Sequence, residues 1–392
     1  MKKDTRITTT GRRPDKNFGI VNPPVYHAST VIYPSMAALD QAHKDRRNGV
    51  KGVYYGRTGT PTTHALEDAV ADLEGGECCV AVPSGLAAIA AGLVAFLETG
   101  DHLLMTDNVY DPTKSRVCED LLKKFGVETT YYDPMTGSGI ADAIKENTKV
   151  VFVESPGSQT FEVQDIPAIA KEAHKKGAVV VMDNTWSGGY YFQPFEHGVD
   201  VSVHAATKYI VGHSDAMLGT VTTTEALFPK IKSAVNSLGY AAAPDDCYLG
   251  LRGLRSIAAR LPRHQETGLL LANWLAEQPE VERVLHPALP SCPGHEFWKR
   301  DFTGSSGLFG VVFKEFSPKA LAAMIDGMEL FPIGFSWGGY ESLMVPTYPA
   351  GMRSNPPWPH KGPSIRIHAG LEDPDDLIKD LEQGLKRLSG TS

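Results

Sequence analysis

Short, almost wholly apolar runs alternate with longer segments of helical periodicity between residues 78 and 204. A strand that is apolar on both faces is typical of a parallel sheet covered by helices on each side. The alternation therefore predicts an α/β fold with a mostly parallel sheet. Its strands are expected near Val80, Leu104, Thr130, Val151, Val180 and Val201.

The chain divides into three predicted parts. Residues 1–60 look irregular and are expected to form an N-terminal arm. Residues 61–250 carry the strand and helix alternation, which begins with a helix from Thr62 or Thr63 to Gly75-Gly76. Residues 251–392 change pattern and predict a smaller C-terminal α/β domain.

Further elements are predicted from caps and periodicity. Asp111-Pro112 predicts a helix that runs to Gly126. In the C-terminal part we expect a long helix after Pro262, strands at V-E-R-V-L, G-L-F-G-V-V-F-K and I-R-I-H, and a last helix from Asp373-Pro374. The proline-rich stretch from Val345 to Ser364 predicts an ordered loop.

Composition excludes several classes of protein. The 392 residues carry a net charge of -8 without a long basic run, so we expect no nucleic-acid partner. The five cysteines form no C-x-x-C, and the N-terminus lacks the apolar core of a signal peptide, so we expect a reduced, cytoplasmic protein.

Cys78 to Leu97 is uncharged but is interrupted by Pro83-Ser84-Gly85, which favours a buried strand, turn and helix over a membrane span. The 13 histidines form no convincing metal spacing.

A lysine follows one of the apolar strands, in the segment D-V-S-V-H-A-A-T-K-Y from Asp200 to Tyr209. Burying an ammonium group is costly, but a desolvated lysine loses its proton more easily and becomes a nucleophile. Asp183 ends the preceding apolar strand. The pair predicts a site for pyridoxal 5'-phosphate (PLP), in which Lys208 holds the cofactor as a Schiff base and Asp183 pairs with the ring nitrogen.

Two later segments extend this pattern. They are F-S-W-G-G-Y-E-S-L at Phe335–Leu343, and the stretch from His286 to Phe309. With the lysine segment, they make nearly the whole chain resemble the PLP enzymes of cysteine and methionine metabolism, and within them the bacterial cystathionine β-lyases. The resemblance implies the aspartate-aminotransferase-like fold (fold type I).

The resemblance also implies how the cofactor phosphate is held. By sequence alone, Ser84-Gly85-Leu86 is as consistent with a capped turn as with an anion cradle at a helix N-terminus. The resemblance assigns the phosphate to Gly85 and Leu86, with Thr207 adding a hydroxyl group. It also implies that Tyr55 and Arg57, which would otherwise be surface residues, reach into a neighbouring subunit. We therefore expect a homo-oligomer, a tetramer built from dimers with shared active sites.

The remaining site residues are also taken from the resemblance. Tyr110 is expected to stack on the cofactor ring and to take part in proton transfer, although it could simply pack under a helix. Arg366 is expected to bind the substrate α-carboxylate, although strand alternation alone leaves it equally well on the solvent side. Ser336 and Trp337 would form the pocket wall near the lysine, with Tyr55 also touching the substrate. His213 and His368 are interpreted as structural hydrogen-bonding residues.

The implied activity is α,β-elimination of L-cystathionine to homocysteine, pyruvate and ammonia. This sequence departs from family patterns at three positions: Ala205 replaces a serine common in the family, Thr58 a second arginine and Phe335 a tyrosine. The bacterial β-lyases share the alanine, so only Thr58 and Phe335 bear on the substrate. From these two positions we expect cystine and other cysteine S-conjugates to be cleaved as well. The alternatives are γ-chemistry (methionine γ-lyase or cystathionine γ-synthase), a serine hydrolase with its elbow at Gly212–Ala216 and a non-catalytic cofactor-binding descendant.

Overall fold

The computed structural model describes residues 1–391, and the predicted apolar runs form strands of one large sheet. Each predicted strand centre lies within or directly beside a strand of this sheet. The strands are β1 (Cys78–Val82), β2 (His102–Thr106), β3 (Glu128–Tyr132), β4 (Thr148–Glu154), β5 (Val179–Asp183), β6 (Val201–His204) and β7 (Gly219–Thr223).

In the described part of the chain, this sheet has seven strands in the order β1-β7-β6-β5-β4-β2-β3. The pairs from β6 through β3 are parallel, whereas β7 runs antiparallel to both β6 and β1. The central strands are buried almost throughout, which explains why they are apolar on both faces. The predicted α/β class with a mostly parallel sheet is confirmed.

A smaller antiparallel sheet lies in the C-terminal part. It has four strands within residues 1–391, in the order β10-β11-β9-β8. These strands are β8 (Val281–Leu285), β9 (Leu308–Phe313), β10 (Leu343–Thr347) and β11 (Ser364–His368). β8, β9 and β11 were predicted from their apolar pattern, whereas β10 begins two residues before the segment predicted to be an ordered loop and ends inside it.

Helices cover both sheets. The helix Pro61–Glu74, which precedes β1, ends at Gly75, as predicted. Gly75 has φ 75°, the left-handed conformation that is common at the C-terminus of a helix. The helices are α1 (Lys3–Thr9), α2 (Met36–Arg47), α3 (Pro61–Glu74), α4 (Gly85–Val94), α5 (Ile166–Lys175), α6 (Phe228–Ser237), α7 (Pro244–Arg255), α8 (Ile257–Ala276), α9 (His295–Asp301), α10 (Pro318–Asp326), α11 (Pro349–Met352) and α12 (Pro374–Gly390).

The N-terminal segment is more ordered than predicted. Residues 1–60 were expected to be irregular but contain α1 and the twelve-residue α2. Ser35 caps α2 by accepting a hydrogen bond from Ala38 N–H. The sequence of α2, M-A-A-L-D-Q-A-H-K-D-R-R, has Met36 and Leu39 as its only large apolar residues, so the apolar stripe that reveals most helices is weak. No residue of α2 is buried in the single chain.

Three other boundaries differ from the prediction. Pro262 lies inside α8 instead of before it, since the helix begins at Ile257. The segment after Asp111 is a wide π-type helix from Thr113 to Leu121, followed by a tighter turn that ends at Gly126. Val345–Thr347, predicted to begin a loop, belong to β10 because they pair with β11. For Val345–Thr347 the strand pairing outweighed the local breaker signal of Pro346.

No helix among residues 1–391 combines the length and the apolar character that a membrane crossing requires. The uncharged segment from Cys78 to Leu97 forms β1, a turn and α4, as predicted.

Candidate active site

The carboxyl ends of three neighbouring parallel strands define the site. Glu154 ends β4, Asp183 ends β5, and Lys208 follows β6 after a short turn. Glu154 and Asp183 are direct register partners on adjacent strands. This edge of an open α/β sheet is where ligands usually bind, because loops and side chains from several strands converge there.

Lys208 lies at the centre of this edge. Its Nζ is 2.6 Å from the Ser336 hydroxyl and 5.3 Å from the centre of the Trp337 ring. Burial lowers the pKa of Lys208 to about 8, and the nearby Arg366 cation adds to the shift, while Asp183 opposes it. The amine is therefore much easier to deprotonate than an ordinary lysine, as a nucleophile or base requires.

Ser336 connects Lys208 to Arg366. Its carbonyl oxygen accepts a hydrogen bond from Arg366 Nη2 at 3.2 Å. Ser336 has φ 82°, an unfavourable conformation for a residue other than glycine, which turns its hydroxyl toward Lys208. Arg366 lies in the middle of β11, with buried Ile365 and Ile367 on the opposite face. Its hydrogen bond to Ser336 and its effect on the pKa of Lys208 place it on the side of the pocket.

Close contact between the two parts of the chain fixes this arrangement. Gly338 has φ 89°, and a Cβ atom there would lie 2.9 Å from the backbone of Lys208 and Tyr209. Only glycine lets the Ser336–Trp337 segment approach the lysine so closely. The Trp337 ring packs edge-on against Tyr209 at 5.4 Å.

Asp183 is buried and held by a neighbouring threonine. Its Oδ1 accepts hydrogen bonds from the backbone N–H of Thr185 at 3.0 Å and from the Thr185 hydroxyl at 2.5 Å. Burial raises the pKa of Asp183, whereas the two Thr185 hydrogen bonds, His204 and Lys208 lower it. A buried carboxylate with one oxygen left for a ligand suits a protonated ring nitrogen.

Tyr110 borders the same pocket with its side chain partly exposed, at 45%. Its backbone N–H donates to Glu154 Oε2 at 2.7 Å. Burial raises the pKa of Tyr110, with Glu154 adding to the effect and Arg366 opposing it. A neutral phenol beside the pocket can both stack on a ring and hold a proton.

Glu154 is a site residue that the sequence analysis missed. Burial and the neighbouring Asp183 raise its pKa well above the usual value, while the hydrogen bond from Tyr110 N–H lowers it. Two adjacent carboxyl groups in a poorly solvated site favour protonation of one of them. The signal was available, because an acidic residue ends the apolar run V-V-F-V-E just as Asp183 ends V-V-V-M-D.

A second buried network was also missed, one layer behind Asp183. His204 Nε2 lies 2.7 Å from Glu74 Oε1, and both side chains are almost completely buried. Ser202 donates a 2.5 Å hydrogen bond to the same oxygen. The Glu74 carboxylate raises the pKa of His204 against the effect of burial, and His204 in turn lowers the pKa of Glu74. The network places a cation on the strand next to Asp183.

The N-terminus of α4 has the features of an anion site. Ser84 caps the helix by accepting from Ala87 N–H at 3.2 Å, while the N–H groups of Gly85 and Leu86 donate to no acceptor among the described residues. A Cβ atom on Gly85 would lie 2.5 Å from the Cβ of Ala205. The turn is therefore pressed against the segment that leads to Lys208.

Thr207 is close to that turn but its hydroxyl is already engaged. It donates to the Leu218 carbonyl at 3.1 Å and accepts from Leu218 N–H at 2.9 Å. Its donation to a phosphate would require the hydroxyl to exchange its carbonyl acceptor for the ligand.

Tyr55 and Arg57 are not brought into the pocket by their own chain. Both are exposed, and Arg57 Nη1 donates to the Asn236 carbonyl of α6 at 3.2 Å. They lie on the surface, where a second chain could meet them, and their predicted roles require one.

The two histidines near the site make backbone contacts. His213 Nδ1 lies 2.7 Å from the Val211 carbonyl, and His368 Nε2 lies 3.1 Å from Gly339 O. Burial lowers the pKa of His368 well below its usual value, so it is neutral. Ser214, the nucleophile of the hydrolase alternative, donates instead to Glu341 Oε1 at 2.5 Å, so nothing in its hydrogen bonding resembles a serine–histidine pair.

The donor set fits a phosphorylated pyridine aldehyde. Lys208 offers an amine with a lowered pKa, Asp183 a carboxylate for a ring nitrogen and α4 two unused N–H groups for a phosphate. These three chemistries lie around one pocket, as PLP requires.

Comparison with known proteins also identifies a PLP-dependent enzyme. Residues 4–386 match the sequence profile of the Cys/Met metabolism PLP-dependent enzymes. The chain is 44% identical to the cystathionine beta-lyase MetC of Escherichia coli K12, over 99% of both proteins. It is 43% identical to the cystathionine beta-lyase of Salmonella typhimurium, over 98% of both.

A solved structure agrees over the whole chain. The cystathionine gamma synthase of Xanthomonas oryzae pv. oryzae, in complex with cystathionine, superposes with a TM-score of 0.90 at 31% identity and covers 100% of both chains. The predicted family, fold and PLP cofactor are thereby confirmed. The chain belongs to the PLP-dependent enzymes of cysteine and methionine metabolism.

Proposed function

We propose that the chain is a carbon–sulfur lyase that converts L-cystathionine to homocysteine, pyruvate and ammonia by α,β-elimination. The support is the similarity at 43–44% identity to two enzymes named cystathionine beta-lyase over nearly their full length. The gamma synthase structure is less similar, at 31% identity, so γ-chemistry is the weaker candidate. The observation that carries the proposal is Lys208, whose amine has a pKa near 8 in a pocket with Asp183 and Arg366.

PLP, when bound, supplies an electron sink for the negative charge that develops at the substrate Cα. Lys208, Asp183, Gly85, Leu86 and Thr207 would hold it. The carboxylate of Asp183 keeps a positive charge on the ring nitrogen favourable, which makes the sink effective.

Lys208 would carry the protons of the reaction. Its neutral Nζ removes the Cα proton, and the resulting ammonium group then protonates the departing sulfur. A pKa near 8 suits both steps, because the amine is neither fully protonated nor too weak a base near neutral pH. Ser336, 2.6 Å from Nζ, keeps the amine oriented toward the pocket.

Three side chains would orient the substrate. Arg366 would bind the α-carboxylate through its planar fork of N–H donors, which matches a carboxylate geometrically. Trp337 and Ser336 form the wall beside Lys208, and Tyr110 would stack on the cofactor ring. Holding the carboxylate and the ring fixes which bond at Cα stands perpendicular to the ring.

The N-terminal arm, residues 1–60, would complete the active site of a neighbouring subunit. Its Tyr55 and Arg57 are exposed, and several apolar side chains of the same arm are exposed too, among them Phe18 at 99% and Ile32 at 88%. Exposed apolar surface of this kind is typical of an interface. We propose a homotetramer of dimers, with residues 61–250 as the cofactor domain and 251–392 as the C-terminal domain.

A cytoplasmic location is also proposed. None of the five cysteines is in a disulfide in the described chain, and Cys79, Cys118, Cys247 and Cys292 are buried. Unpaired cysteines are usual in reducing compartments.

Substrate breadth would follow from two positions. Thr58 lies in the arm where related lyases often carry a second arginine, and Phe335, at 90% exposure, has no hydroxyl at the pocket mouth. With less charge to bind a distal carboxylate, cystine and S-alkyl cysteines would be cleaved at rates comparable to that of cystathionine.

A product assay tests the proposal. The PLP-loaded protein would be incubated with cystathionine, cystine and S-alkyl cysteines, and 2-oxo acids would be identified by chromatography. Pyruvate is expected from each. Formation of 2-oxobutyrate from cystathionine would support γ-chemistry instead, and strict selectivity for cystathionine would contradict the proposed breadth.

A further inference from the structure

One oxygen of the Asp183 carboxylate is fully committed inside the protein. Oδ1 accepts from the Thr185 backbone at 3.0 Å and from the Thr185 hydroxyl at 2.5 Å. Oδ2 accepts no hydrogen bond from the described residues and is not sealed from the pocket. The division leaves one oxygen for a ligand and fixes the plane of the carboxylate through the other.

The Thr185 hydroxyl is itself anchored. It accepts a hydrogen bond from the backbone N–H of Ala205 at 2.9 Å. Its single proton is therefore free to point only at Asp183 Oδ1. Ala205 belongs to the turn between β6 and Lys208, and Thr185 is 7% exposed, so water does not compete for either bond.

We propose that Thr185 is a positioning residue: its hydroxyl couples the Asp183 carboxylate to the backbone that carries Lys208, so that the groups expected at the ring nitrogen and at the aldehyde keep one fixed relation. This inference rests on the proposed function, since it concerns the cofactor that Lys208 would hold. It assigns a role to a residue whose hydroxyl bonds only to Asp183 and to the backbone of Ala205 among the described residues.

The charges around Asp183 explain why a neutral donor is suited to this position. Glu154 faces it from β4, His204 from β6, and Lys208 from the turn beyond. Burial favours protonation of Asp183, and protonated Asp183 could not pair with a ring N–H⁺. The hydrogen bonds from Thr185 lower the pKa of Asp183 and so oppose that loss.

The test uses three variants of the full-length protein. Thr185→Val keeps the shape and removes the hydroxyl, whereas Thr185→Ser keeps the hydroxyl and removes the methyl group. Thr223→Val is the matched control, because Thr223 is a buried threonine that donates one 2.8 Å hydrogen bond, to Asp200 O, at the opposite end of the sheet.

The dissociation constants of PLP and of its 1-deaza analogue, which has carbon in place of the ring nitrogen, are measured by titrating each apoprotein. Thr185→Val is expected to weaken PLP binding about ten- to a hundredfold, the effect of losing a hydrogen bond to a charged group. Binding of the deaza analogue should stay unchanged, because it makes no demand on Asp183. Thr185→Ser and Thr223→Val should bind both ligands as the unaltered protein does.

Two results would overturn the inference: PLP affinity unchanged in Thr185→Val, or equal losses for PLP and the deaza analogue. Equal losses would mean that Thr185 only shapes the pocket. Failure of Thr185→Ser to restore PLP affinity would contradict it as well. If the unaltered protein failed to form a reducible imine with PLP at Lys208, the proposed function itself would fall, which separates the two failures.

Discussion

The two sheets contribute to the pocket in different ways. The large sheet contributes Asp183 and Lys208 at or just beyond its strand ends. The small sheet contributes Arg366 from the middle of β11, and Ser336 and Trp337 from the segment before β10.

Strand direction accounts for the difference. Parallel strands all end at the same edge, so residues that follow them converge without special backbone conformations. Antiparallel neighbours end at opposite edges, so the small sheet must present a side chain from its face or a loop. Ser336 and Trp337 are presented by such a loop, which requires φ 82° at Ser336 and a glycine at position 338. The cofactor groups thus depend on topology, and the substrate groups on local contacts.

The largest effect is expected at the strand-end lysine. Lys208→Ala should lower kcat by at least about 10³-fold, because both proton transfers lose their carrier. Steady-state pyruvate formation measures the loss, and circular dichroism checks the fold. Lys230→Ala, on the surface of α6, is the control and should keep full activity. Retention of more than a tenth of the activity by Lys208→Ala would break the assignment.

Among these variants, the largest effect on the free energy of unfolding is expected at the buried Glu74–His204 pair. His204→Leu leaves Glu74 buried without its partner and should reduce the free energy of unfolding by about 3–5 kcal/mol. Denaturant titration measures it. The double variant Glu74→Leu/His204→Leu should be less destabilised than the single one. A single variant as stable as the parent would show that the pair is not charged.

The same pair makes a pH prediction. The pKa of Glu74 is lowered from 4.5, so its contribution to stability is lost as pH falls below that value. The pKa of His204 is raised from 6.5, so its contribution is lost as pH rises above that value. The difference in unfolding free energy between parent and His204→Leu should therefore be greatest between about pH 4.5 and 6.5. A difference that does not vary with pH would contradict this.

The small sheet should control substrate binding more than chemistry. Arg366→Lys keeps the charge but loses the planar fork, and should raise KM about ten- to a hundredfold with a smaller change in kcat. Initial rates over a range of cystathionine concentrations separate the two. Arg116→Lys, in an exposed ion pair on the helix after Tyr110, serves as the control. A fall in kcat with KM unchanged would mean that the small sheet contributes to the chemical step and not mainly to substrate binding.

The smallest effect is expected on the pKa of Lys208, a residue of the large-sheet part of the site that Arg366 of the small sheet influences. The pKa of Lys208 is about 8, so the rate at which the apoprotein captures PLP should rise with pH and level off above about 8. Only the neutral amine attacks the aldehyde. Arg366→Gln removes a cation that lowers this pKa, so the midpoint should move to higher pH. Absorbance-monitored mixing measures both midpoints, and identical midpoints would mean that the small sheet does not tune the lysine.

Much of the site was predictable because its key residues sit in recognisable local patterns. Lys208 and Asp183 each follow an apolar strand, and α4 begins at a Ser-Gly turn, so pattern and chemistry agree. Thr185, Glu74 and His204 could not be assigned roles in the same way. Their functions depend on partners 20 to 130 residues away, such as the 2.7 Å contact from His204 to Glu74. Residues 1–60 failed for a related reason, since α2 has no buried face within one chain.

The sequence by itself determined the α/β class, the positions of most strands along the chain and the identity of the lysine and the aspartate, because a buried strand and the residue that follows it can be recognised within about ten residues. Only the tertiary structure decided which oxygen of Asp183 faces the pocket, which hydroxyl steadies Lys208 and why 338 must be glycine. The orientation of Asp183 depends on Thr185, which the backbone of Ala205 holds from the neighbouring strand. The other two depend on contacts between segments more than a hundred residues apart, and the packing of the two sheets brings those segments together.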